Sequence, residues 1–209
     1  MIKLIIFDLD NTLFDTYNQL GVEVLDKMIA RMRKVGLTKE QERLLRKKYI
    51  ITGFRIIAKE LGLSEKVKKI GMGTYTNMDL SHITPYKDVK LISKLKQKKA
   101  LVTSGSGEVQ LKKVRILKIG GLFGDIVVDK SSSPDNKQRI FARLMKKYRL
   151  KPKEIMVVGD NPDSELAAGK ALGMVAVQIL RRPGMLKGKA DYYVKGLDEV
   201  KKIVESMVD

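Results

Sequence analysis

Short apolar runs that end abruptly at polar or glycine-rich sequence recur along the chain at Ile2–Phe7, Lys99–Thr103, Asp125–Val128, Glu154–Val158 and Met174–Ile179. The first is apolar apart from Lys3, the pattern of a strand buried on both faces of a parallel sheet. Between them lie segments with helical spacing, at Asp88–Leu95, Val109–Ile119, Lys137–Tyr148 and Ser164–Leu172, with a closing helix at Leu197–Met207. Alternation of strand and helix predicts an α/β fold built on a parallel sheet, with helices on both faces. In such sheets, ligands gather beyond the carboxyl ends of the strands.

The stretch from 15 to 84 breaks this rhythm. It has no strand pattern, but amphipathic runs at Leu20–Val35, Lys39–Tyr49, Phe54–Leu61 and Ser64–Ile70. The expected organisation is an α/β domain of residues 1–14 and 85–209, interrupted by an all-helical insertion at 15–84. There is no internal repeat and no low-complexity tract.

Composition narrows the chemistry. The 209 residues include no Cys and a single His, His82. Thiolate zinc sites, cysteine nucleophiles and histidine-rich metal sites are therefore excluded, and a metal would be held by oxygen, which favours a hard ion such as Mg²⁺. The formal net charge is +18. Residues 15–84 hold 14 Lys+Arg and 8 Asp+Glu, a net of +6, leaving +12 for the remainder. The basicity is thus spread over both parts rather than gathered in one arm. No run approaches the length of a membrane span, and the N-terminal residues lack a signal-peptide pattern, so a cytoplasmic protein is expected.

Three constellations fall at strand ends. Asp8-Leu9-Asp10-Asn11-Thr12 follows the first strand; residues two apart in an extended chain point the same way, so Asp8 and Asp10 can present paired carboxylates. Such a pair suits a nucleophile beside a general acid/base; the bland alternative is an acidic turn. Thr103-Ser104-Gly105-Ser106-Gly107 precedes a helix, where hydroxyls and free N–H groups could accept a phosphate, or simply cap the helix. Gly159-Asp160-Asn161-Pro162-Asp163-Ser164-Glu165 offers carboxylates for a divalent ion, although Asp163 and Glu165 could equally be first-turn acids of a helix. A phosphoryl site also calls for a lysine; Lys137, at the start of a helix, is the preferred candidate and Lys130 the alternative.

Taken in order along the chain, DLDNT (Asp8–Thr12), LVTSG (Leu101–Gly105), a lysine opening a helix ahead of Phe141, and VVGDNPDSELAAGKALGM (Val157–Met174) resemble the haloacid-dehalogenase-like superfamily of hydrolases. The resemblance implies a Rossmann-like core with a helical cap inserted at 15–84. It implies that Asp8 is the nucleophile forming an aspartyl phosphate and Asp10 the acid/base. Thr103 and Lys137 would bind the phosphoryl oxygens, with Thr12, Ser104 and Gly105 lining the substrate site. Mg²⁺ would be held by Asp8, the backbone carbonyl of Asp10, Asp160 and Glu165. Two departures stand out: Glu165 matches the family's last acidic position better than Asp163, and KSSSPDNK replaces the usual Lys-Pro ahead of Phe141, leaving Lys137 against Lys130 open.

Asp10 argues for a phosphate ester over a haloacid, because an alkoxide leaving group needs a proton and a halide does not. A phosphomutase acting on a sugar phosphate is the second enzymatic reading. A cap favours a small phosphorylated metabolite, with Tyr17 and Arg55 as candidate readers of it. The non-enzymatic alternative, a basic module binding nucleic acid or another anion, has the net charge in its favour. Against it stand 6% aromatic residues, no Trp and no nucleic-acid motif. The expected assembly is a monomer or homodimer.

Overall fold

The computed structural model describes residues 1–49, 54–130 and 134–207. They form two compact units, one of Met1–Phe14 with Thr84–Asp209 and the other of Asp15–Ile83.

The first unit is an α/β domain. Its strands are β1 (Leu4–Phe7), β2 (Lys98–Ser104), β3 (Asp125–Asp129), β4 (Ile155–Gly159), β5 (Val175–Ile179) and β6 (Tyr192–Val194). They pair all-parallel in the order β3-β2-β1-β4-β5-β6, with the most apolar strand, β1, at the centre. Phe7 lies beside Leu101 of β2 and Val158 of β4, so the residues that follow all three strands emerge at one edge.

Strand alternation assigns the faces. Leu4 and Ile6 pack with Ala100, Val102, Ile155 and Val157 against Ile140, Phe141 and Leu144 of the long helix α6 (Pro134–Tyr148) and Ala168 of α7 (Ala167–Ala171). Ile5 and Phe7 point to the opposite face, where Phe7 meets the edge of Phe123, with ring centroids 6.0 Å apart. Asp8 continues the parity of Ile6 and therefore turns toward α6. Two further helices, α5 (Gly107–Ile116) and α8 (Leu197–Ser206), complete the layers.

Several elements differ from the sequence expectation. Asp88–Leu95 forms a 3-10 helix at Val89–Lys94, while the helix expected at Ser164–Leu172 is present, starting as a π-helix at Pro162–Leu166 and continuing without a break into the short α7. The strand β6 was not expected; it exposes Tyr192 and Tyr193, so no apolar run marks it.

The regular elements of the second unit among the described residues are helices, including α1 (Val22–Arg33), α2 (Lys39–Tyr49), α3 (Phe54–Glu60) and α4 (Glu65–Thr76). Leu25, Met28, Ile29 and Met32 form the buried stripe of α1 at helical spacing. Gly71 of α4 is needed where it stands, because a Cβ there would come 2.3 Å from the Phe54 ring. Ser64 caps α4 by accepting from the Val67 amide. His82 bonds the Gln19 carbonyl through Nε2 at 2.8 Å, tying the end of this unit to its beginning. Among the described residues no helix is long and apolar enough to cross a membrane.

Candidate active site

The turn after β1 is shaped by its own backbone. Thr12 and Leu13 donate to the Leu9 carbonyl, and Asn11 takes φ +56°, a left-handed conformation that Asn tolerates better than most residues. The Asp8 amide donates to Val158 O at 2.9 Å, which fixes Asp8 at the sheet edge with its side chain buried.

Lys137 meets it there. Its position is set by the apolar stripe of α6, in which Ile140, Phe141 and Leu144 continue the same face at +3, +4 and +7. Only 3% of the Lys137 side chain is exposed, so its ammonium must be paired, and it donates to Asp8 Oδ1 at 3.0 Å and to Glu165 Oε2 at 2.8 Å. Burial opposes its charge, but Asp8 and Glu165 outweigh burial and hold it protonated. Lys130, by contrast, is exposed just past β3, with its Cε beside Gly107.

Glu165 is buried and accepts from the Asn161 amide at 2.7 Å through Oε1. This packing needs Gly159, where a Cβ would sit 2.3 Å from Glu165 Oε1. Oxygens of Asp8, Asp160 and Glu165 all lie within 4.8 Å of one another. Burial chiefly, against the pull of Lys137 and helped by Glu165 and Asp10, pushes the Asp8 carboxyl up to about 7. Asp160 is raised well above the ordinary carboxylate range by burial, Glu165 and Asp8. One ammonium thus faces three crowded carboxylates, a donor set of hard oxygens with charge to spare for a divalent cation. Asp163 is exposed, its amide donating to Asn161 Oδ1 at 2.9 Å.

Asp10 faces elsewhere. Lys113 Nζ donates to its Oδ1 at 2.7 Å and Gln110 Nε2 to its Oδ2 at 2.6 Å. Gln110 Nε2 also lies 2.5 Å from Thr103 Oγ1, so Thr103 is joined to Asp10 through one amide. Thr103 and Thr12 are both buried, and Thr12 Oγ1 has no hydrogen-bond partner among the described residues. Ser104 Oγ donates to Asp129 Oδ2 at 3.4 Å, and the Gly105 amide to Asp129 O at 2.9 Å. Gly105 takes φ +137° and packs on the Gln110 stem. Tyr17 belongs to the helical unit, and the side chain of Arg55 lies outside the described residues.

Several contributors are not singled out by sequence. Gln110 and Lys113 read as surface residues of a basic helix, although they lie three apart on the side that buries Val109, Val114 and Leu117. Asp129, buried at the end of β3, also accepts from Asn136 Nδ2. Arg181 forks Asp88, at 2.6 Å and 3.1 Å, and donates to the Thr12 carbonyl, at 2.9 Å from Nη2. It thereby braces the turn that carries Asp10. Gln178 ties the Asp160 carbonyl to Leu186 O and Gly188 N.

Comparison with known proteins agrees with this geometry. A family model described as haloacid dehalogenase-like hydrolase matches residues 2–173. Two archaeal relatives are named glyceraldehyde 3-phosphate phosphatase. That of Methanocaldococcus jannaschii is 27% identical over 99% of this chain and 99% of its own. That of Methanopyrus kandleri is 26% identical over 87% and 85%. Among solved structures, a haloacid dehalogenase-like hydrolase from Streptococcus pneumoniae has a TM-score of 0.74 at 16% identity, covering 97% of this chain and 98% of its own. An HAD phosphatase from Thermococcus onnurineus has 0.68 at 22%, with the same coverage. By its matched length and its parallel-sheet fold, the chain belongs to the haloacid dehalogenase-like hydrolases.

Proposed function

We propose that this hydrolase is a Mg²⁺-dependent phosphatase that cleaves a small phosphate monoester through an aspartyl phosphate on Asp8. The observation that carries the reading is the buried Asp8 carboxylate, paired with Lys137, grouped with Asp160 and Glu165, and followed two residues on by an Asp10 that accepts from a different pair, Gln110 and Lys113. Two neighbouring carboxylates in contrasting surroundings suit two different roles.

Lys137 occupies Asp8 Oδ1, which leaves Oδ2 to attack phosphorus as the ester P–O bond breaks. Asp10, when protonated, gives its proton to the departing oxygen. It then accepts a proton from the water that attacks the phosphoenzyme, releasing phosphate and restoring Asp8. Thr103 accepts from Gln110, so its own hydrogen is available to a phosphoryl oxygen. Lys137 offsets the charge that builds on those oxygens, keeping Asp8 fixed by the same contact. Asp8, Asp160, Glu165 and the Asp10 backbone carbonyl would hold Mg²⁺, which would supply further charge to the transferring group.

The helical unit follows directly on the first acidic motif in sequence, and we assign it the role of the cap. Glyceraldehyde 3-phosphate, named for the archaeal relatives, is the first substrate to try. The test is phosphate release from it and from an aryl phosphate, with Mg²⁺ or chelator, by the unmodified protein and by Asp8→Asn. Turnover lost on chelation and in Asp8→Asn is expected; metal-independent turnover, or activity retained by Asp8→Asn, would overturn the proposal.

A further inference from the structure

We infer that Gln110 and Lys113 form a two-point clamp that positions Asp10 for proton transfer, a deepening that rests on the phosphatase reading. Lys113 is an ammonium with only 1% of its side chain exposed, on a helix whose neighbouring residues Val109, Val114 and Leu117 are core. A buried charge is tolerated only when paired, and Lys113 is directed to Asp10 Oδ1, with the Phe14 ring 5.5 Å from its Nζ. Gln110 lies one turn earlier on the same face and is completely buried.

Its amide nitrogen has two hydrogens and two acceptors within reach, Asp10 Oδ2 and Thr103 Oγ1. The amide oxygen, Gln110 Oε1, has no partner among the described residues, so the side chain is oriented by what its nitrogen donates to. One carboxylate oxygen goes to each clamp residue. Two donors on α5, a rigid element, thus hold the carboxylate plane of Asp10. Gln110 also sets the direction of the Thr103 hydrogen, linking the acid/base to the hydroxyl that donates to the phosphoryl oxygens in one network.

A clamp of this kind matters only where Asp10 must move a proton. Leaving oxygens of high basicity need that proton in the transition state, whereas a nitrophenolate departs without much help. Gln110 and Lys113 are thus positioning residues, and their removal should be felt in proportion to leaving-group basicity. A merely structural role would slow all esters alike.

The experiment compares kcat/KM for an alkyl phosphate and for a nitrophenyl phosphate in the unmodified protein, Lys113→Met and Gln110→Leu, each also in an Asp10→Asn background. Gln110→Leu leaves no unpaired charge and serves if Lys113→Met does not fold. The expected loss on the alkyl ester is about 10²-fold, at least tenfold greater than on the aryl ester, because a positioned proton donor is worth about that much. In the Asp10→Asn background neither substitution should add that loss. Equal losses on both esters, or the full loss recurring without Asp10, would overturn the clamp while leaving an Asp8-dependent phosphatase intact. Absence of hydrolysis by the unmodified protein, or activity surviving Asp8→Asn, would instead sink the phosphatase reading and this inference with it.

Discussion

Gly159→Ala is the sharpest perturbation of the packing that holds the carboxylate group. Gly159 ends β4, which is hydrogen-bonded on both sides by β1 and β5 and cannot shift easily. An alanine Cβ there would lie 2.3 Å from Glu165 Oε1, 2.4 Å from its Cγ and 2.7 Å from its Cδ. These atoms belong to a stem gripped by Lys137 and by the Asn161 amide, so Glu165 must leave its place and both contacts with it. Breaking a buried ion pair costs about 3–5 kcal/mol. Lys137 keeps Asp8, so the lower end applies, about 3 kcal/mol, or a fall of roughly 10 °C in melting temperature for a chain of this size. The assay is denaturant unfolding in chelator, run as a cycle with Glu165→Ala. Removing Glu165 clears the space, so Gly159→Ala should then cost less than about 1 kcal/mol, giving a coupling of about 2 kcal/mol or more. A cost within about 0.5 kcal/mol of zero in the unmodified background, or the same cost in both, would refute the reasoning.

Arg181→Lys should destabilise by about 2–3 kcal/mol in the same assay, because one ammonium cannot both fork Asp88 and reach the Thr12 carbonyl; an unchanged midpoint would show that the brace is idle. The raised Asp8 carboxyl makes the metal-free fold pH-sensitive in a defined direction. A folded value near 7, above an unfolded value near 4, favours the folded state at low pH and is lost as pH rises through 7. Melting of a chelated sample should therefore fall between about pH 5 and pH 8 through this site. Mg²⁺ should raise it more at the higher pH, where no proton competes for the carboxylates; a larger gain at about pH 5 would contradict the proposed donor set.

How much of this could be read beforehand depends on whether a feature leaves a local pattern. The central strands could, since β1, β2 and β4 are buried on both faces and their apolar runs end where the acidic and hydroxyl residues begin. The edge strand β6 could not, because only Val194 of its three residues is buried. Lys137 was readable by position, on the stripe of Ile140 and Phe141, in a chain where lysine identity says little. Gln110 and Lys113 are a different case. Their partner, Asp10, is 100 and 103 residues away, and only the pairing of β1 beside β2 brings α5 to it. Arg181 likewise acts across 169 residues on the Thr12 carbonyl, a contact for which side-chain patterning carries no signal. Gly159 shows the reverse: its residue type is visible, but its reason is the Glu165 carboxylate that fills the missing Cβ.

In the proposed reaction the phosphoryl group passes through Asp8. The most direct test is acid quenching of Asp10→Asn during reaction with a nitrophenyl phosphate and Mg²⁺, followed by mass spectrometry of the peptide bearing Asp8. That variant can still expel a weakly basic leaving group but lacks the base that activates water, so the phosphoenzyme should accumulate. One phosphoryl group on Asp8, absent after Asp8→Asn, is expected. A phosphoryl group on another residue, or nitrophenolate release with Asp8 never modified, would contradict passage through Asp8.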